Sequence, residues 1–137
     1  MSYQLKILEH PADIKLKIIA SSKKELFKGA LKGMASIING QECLKEEVIE
    51  KKIEILSLDE ETLLVDFLNE VLAQTDIYNS VFSEIKIEEF TSQKIKGKIK
   101  GHKIERFKEE IKGVTYHDLD IIKNEKGTWE VTILFDI

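Results

Sequence analysis

The chain has 137 residues, with 21 Lys and Arg against 25 Asp and Glu for a formal net charge of −4. That length suits one domain able to bury about two-thirds of its unfolded surface, and 42% hydrophobic with 34% charged residues excludes intrinsic disorder. The apolar runs are too short to span a membrane, and an acidic chain whose sole arginine is Arg106 is poorly suited to gripping nucleic acid by counterion release.

Residues 3–8 and 14–20 read as strands, because Ile14, Leu16 and Ile18 alternate with Lys15 and Lys17, a period of two. Pro11 interrupts the pattern between them. Ser22 with Glu25 three residues later is a capping-box signature, and Leu26, Phe27, Ala30, Leu31, Met34, Ile37 and Ile38 form one helical stripe, so a helix is expected over 22–39, stopped by Asn39-Gly40. A half-exposed strand is expected within 46–57. Asp59 or Ser57 caps a second helix at 59–76, whose buried face is Leu63, Leu64, Phe67, Leu68, Val71 and Leu72. Strands are expected at 81–89, 94–100, 115–122 and 128–135. The predicted fold is a single α+β domain over 1–137, an antiparallel or mixed sheet of about seven strands with two amphipathic helices on one face.

Lys94, Lys96, Lys98 and Lys100 alternate with Ile95, Gly97, Ile99 and Gly101, which puts the lysines on one strand face. Two readings stand. One is a phosphate track. The other is a solvated face in a hairpin with a three-residue loop at 91–93, with Phe90 opposite Lys94, Glu88 opposite Lys96 and Glu84 opposite Lys100.

Gly-rich phosphate loops, nucleophile elbows and HExxH zinc motifs do not occur. Cys43 has no cysteine partner and no histidine beside it, so an incidental thiol in a reducing, cytoplasmic setting is expected, with no secretory signal at the start of the chain. His10, His102 and His117 show no ligand spacing. The carboxylates say more. Asp13 stands where a turn enters a strand, and Asp136 follows the apolar run to Phe135, with Ile137 ending the sequence on what would be a free α-carboxylate. If the last strand pairs near the start of the second, three hard oxygen donors come together, a set suited to Ca²⁺ or Mg²⁺. The simpler alternative is a capped turn and a solvated strand end.

The blocks HPADIKLKI, KELFKGALKGMASII, EETLLVDFLNEVL, EIKGVTYHDLDI and WEVTILFDI, in this order from residue 10 to residue 137, resemble the archease family. The HxAD element, the VTYH stretch and the terminal FDI carry the resemblance together. It implies a small α+β protein that is not itself an enzyme. Such a protein serves as an activator of an RtcB-type tRNA-splicing RNA ligase, promoting its guanylylation and multiple turnover and broadening its nucleotide use. It implies a divalent-metal site at Asp13, Asp136 and Ile137, calcium first with magnesium or manganese as alternatives, and RNA contacted mainly through the ligase, with no membrane and no DNA involved. His10, Lys112, Thr115 and His117 are expected to face the partner. The chain has Pro11 where many members have Thr, and Gly113 where many have Ala; neither change removes a ligand oxygen. A stand-alone metal-dependent hydrolase and an RNA-binding module on strand 94–100 are the competing expectations.

Overall fold

The switching between periods of two and 3.6 resolves into eight strands and two helices in a computed structural model that describes residues 2–9, 13–39, 48–116 and 118–137. They run β1 (Tyr3–Glu9), β2 (Asp13–Ala20), α1 (Lys23–Asn39), β3 (Val48–Leu56), α2 (Glu60–Tyr78), β4 (Ser80–Thr91), β5 (Lys94–Lys103), β6 (Gly113–Thr115), β7 (Ile122–Lys123) and β8 (Trp129–Asp136). The α+β class holds. The strands divide between two antiparallel sheets, where one sheet of about seven strands was expected: β1-β2-β8-β6 with β7 also on β8, and β3-β5-β4. Each helix touches both sheets, α1 through β1, β2, β8 and β4, and α2 through β3, β4, β5 and β6. Such a placement needs a helix apolar on more than one side, and α1 buries Leu26, Phe27, Ala30, Leu31, Met34, Ala35, Ile37 and Ile38.

The helix caps follow from residue type. The Ser22 hydroxyl accepts from the Glu25 N–H at 3.2 Å, and the Asp59 carboxylate accepts from the Thr62 N–H at 2.8 Å, each quenching an orphan donor of a first turn. α2 runs two residues beyond its expected end and stops at Asn79, whose φ of 48° sends its N–H back to the Thr75 carbonyl. The expected stop of α1 at Gly40, and Cys43, lie outside the described residues.

Two strand expectations need correction. The β4–β5 hairpin turns through two residues, Ser92 and Gln93, so Phe90 pairs with Ile95 and Glu89, in place of Glu88, pairs with Lys96. A slip of one residue exchanges the faces of a strand. This one sends Phe90 inward, where its ring meets Phe27 edge-on at 4.9 Å. A bulge between Ile87 and Glu89 absorbs the slip, leaving Glu84 opposite Lys100 as expected, with Ile87 opposite Gly97 and Ile85 opposite Ile99. A second bulge falls between Phe82 and Glu84, and β4 runs so close to β5 that a Cβ on Gly97 would lie 2.2 Å from the Lys86 carbonyl oxygen, and one on Gly101 2.0 Å from that of Val81. Nor does one strand cover 115–122. Asp118 takes a φ of 52°, a left-handed conformation that Asp tolerates, and the Leu119 N–H donates to the Tyr116 carbonyl at 3.3 Å. That turn separates β6 from β7.

Candidate functional site

In β2, Ile14, Leu16 and Ile18 are buried, so Asp13, Lys15 and Lys17 belong to the other face. In β8, Val131, Ile133 and Phe135 are buried, which puts Thr132, Leu134 and Asp136 on that same outer face. The antiparallel register sets Asp13 directly opposite Asp136. Opposed residues share a face with Cα atoms about 4.5–5.5 Å apart, so the two acidic side chains leave the same face at one end of the sheet. Like charges so placed oppose pairing. The Asp13 Oδ1 is also buried and has no hydrogen-bond partner, a costly state for a carboxylate oxygen unless a cation faces it.

The other side of Asp136 is held by β6. Gly113 stands opposite Asp136, and the Lys112 N–H donates to the Asp136 carbonyl at 2.7 Å. Ile137 packs its half-buried side chain against the core, which keeps its main chain at the same corner. Thr115 pairs with Leu134, two residues along β8 from Asp136 and on its face. The expected site residues Asp13, Asp136, Ile137, Lys112 and Thr115 therefore gather at one end of the larger sheet, with the Lys112 side chain exposed. His10 and His117 lie outside the described residues.

The donor set fits a hard cation: two carboxylates opposed in register where the last strand ends, one with an unbonded buried oxygen. No three His, Cys, Asp or Glu side chains converge among the described residues, so main-chain oxygen, water or a partner's groups would complete the shell.

The polar members of EETLLVDFLNEVL, a segment read in the sequence only for its apolar face, grip β6 and the chain that follows it. The Asn69 side chain accepts from the Val114 N–H at 2.9 Å and donates to the Val114 carbonyl at 3.2 Å. One Asp66 oxygen accepts the Tyr116 hydroxyl and the other the Ser57 hydroxyl at 2.7 Å. Glu61 accepts from the Ile121 N–H at 3.2 Å. The available signal was the polar pair Asp66 and Asn69, one helical turn apart beside the buried stripe.

The lysine row of β5 lies on the outer face of the smaller sheet. Lys96 stands between Glu54 and Glu89, and Lys100 between Glu50 and Glu84. Lys94 binds Glu89 at 2.7 Å and Glu54 at 3.3 Å, contacts that raise its pKa while Lys94 lowers that of Glu89. Lys98 alone has lysines on both sides, Lys52 and Lys86. Mostly, then, this face alternates acid and base across its strands, which counts against a continuous phosphate track.

Residues 5–137 match the model of the archease protein family. Among curated relatives, an archease of Pyrococcus abyssi is 36% identical over 137 residues, covering 94% of this chain and 95% of its own length. One of Methanosarcina mazei is 33% identical over 138 residues, covering 95% and 93%. Of solved structures, a protein of Methanobacterium thermoautotrophicum superposes with a TM-score of 0.76 at 25% identity, over 97% of this chain and 98% of that one. A Thermotoga maritima archease described as a possible chaperone superposes with a TM-score of 0.69 at 24% identity, over 96% of each, and supports the fold.

Proposed function

The chain belongs to the archease family, and from that premise we propose that it acts as an accessory activator of an RtcB-type tRNA-splicing RNA ligase, through a divalent-cation site at Asp13, Asp136 and Ile137. The observation that carries this reading is the register pair Asp13–Asp136 with its buried, unbonded Asp13 oxygen. Asp13 and Asp136 would supply carboxylate oxygens and Ile137 a main-chain oxygen, and calcium suits this set best because it accepts irregular oxygen shells completed from outside. A bound cation would neutralise the paired carboxylates and offer open coordination positions to a partner's groups. Lys112 and Thr115 flank the pair and would face the ligase, with RNA reached through the ligase. A net charge of −4 favours docking on a basic ligase surface. Broadened nucleotide use by the ligase and a cytoplasmic setting belong to the same reading.

The test is GTP-dependent labelling and turnover of a purified RtcB-type ligase with and without this chain. The wild type should raise both. Asp13→Asn and Asp136→Asn should each remove most of that gain while leaving the far-ultraviolet circular dichroism unchanged. Full activation by both variants would remove the terminal pair from the function. RNA binding by the chain alone, steeply weakened by salt, would instead favour the lysine face.

A further inference from the structure

A three-residue edge strand supports one side of Asp136, and three residues of antiparallel pairing are marginal on their own. The free edge of β6 does not face solvent at Val114. The Asn69 amide occupies it, accepting from the Val114 N–H and donating to the Val114 carbonyl. A primary amide carries the same donor and acceptor as a peptide group, so Asn69 serves as one residue of an additional strand, 45 positions away in sequence. From Val114 the support passes two residues along the chain to Lys112, whose N–H holds the Asp136 carbonyl. Gly113, between them, stands opposite Asp136, and a Cβ there would meet only the Asn69 Oδ1, at 3.8 Å. Asp66 and Glu61 hold the chain beyond, at Tyr116 and Ile121.

We propose that Asn69 is a positioning residue of the terminal site: by clamping β6 against β8 it sets where Asp136 stands relative to Asp13, although it contributes no atom to the cation. This inference rests on the reading of Asp13 and Asp136 as a cation site. An outer support of this kind, once removed, weakens metal binding by about tenfold or more, because the ligand must then be ordered at the moment of binding.

The experiment uses the full chain without any ligase. Calcium affinity is measured by titration calorimetry well below the melting temperature, and amide hydrogen exchange is followed at Lys112 and Val114. The variants are Asn69→Ala, Asn69→Asp, Asp13→Asn and Val71→Ala, the last a buried position of the same helix. Asn69→Ala should speed Val114 exchange at least about tenfold and weaken calcium binding by about tenfold. Asn69→Asp keeps the acceptor for the Val114 N–H and loses the donor, so it should fall between Asn69→Ala and the wild type. Val71→Ala should lower the melting temperature and leave calcium affinity within about twofold. Unchanged affinity in Asn69→Ala, or equal losses in Asn69→Ala and Val71→Ala per degree of melting temperature, would overturn the inference while leaving the cation site standing. If wild type and Asp13→Asn both take up no calcium, the cation reading itself fails and the inference falls with it.

Discussion

Tyr116 joins exposure to restraint. It is 55% exposed, yet its hydroxyl is committed to Asp66. That hydrogen bond, then partial burial and the Asp66 charge, raise its pKa above the usual 10.0. The bond needs the neutral phenol, so its contribution is fully present below pH 10 and is lost as pH rises through the raised value. Absorbance at 295 nm should show Tyr116 ionising above the ordinary range, and Asp66→Asn should move that transition down. An unmoved curve would mean that Asp66 does not govern this phenol. Tyr3 also titrates high, through burial and the nearby Glu25 and Glu84, so the Tyr116→Phe difference spectrum is needed to assign the transition. The sequence showed VTYH as a pattern. It could not show that the tyrosine hydroxyl meets a carboxylate 50 residues away.

Elements whose signals are local lay open in the sequence: α1 and α2 with their Ser22 and Asp59 caps, β2 and β5 with their alternation, and β8 with its apolar run. The β4–β5 register was not local. Phe90 turns inward because Phe27 of α1 is there to receive it, and the bulge that makes this fit leaves no mark in spacing. The glycines opposite β4 do leave a mark. Gly101→Ala would place a methyl group 2.0 Å from the Val81 carbonyl oxygen, a backbone contact that cannot yield by a rotamer change. We expect a loss of about 1–3 kcal/mol and a melting temperature lower by several degrees, measured by calorimetry. An unchanged melting temperature would show that β4 is free to move off β5.

Two sheets and two helices share one core, with Phe27, Phe67, Phe82 and Phe135 fully buried, and no helix among the described residues is long and apolar enough to cross a membrane. Because the terminal pair lies where β2, β8 and β6 adjoin at one end of the larger sheet, occupancy of the proposed site should be felt by the fold as a unit. An ion that binds only the folded state stabilises it by about 1.4 kcal/mol at ten times its dissociation constant, or roughly 4 °C in a domain of this size. Calcium should therefore raise the melting temperature of the wild type, chelator should reverse it, and Asp13→Asn and Asp136→Asn should not respond. An equal shift in all three proteins would place the ion elsewhere.

Local chemistry was enough to establish the α+β class, the helix caps, the strand alternation and the family, since each rests on residue types at short spacing. Asp13 and Asp136 were legible as candidates because each carboxylate interrupts or ends an apolar strand pattern. That they face each other depends on the register of strands more than a hundred residues apart, which core packing sets and no local pattern encodes. The same holds for the split into two sheets, for the break at Asp118, and for Asn69. A polar residue beside a helix's buried stripe reads as solvated until the strand it completes is brought to it, because a hydrogen bond between distant segments exists only once burial has fixed where both of them lie.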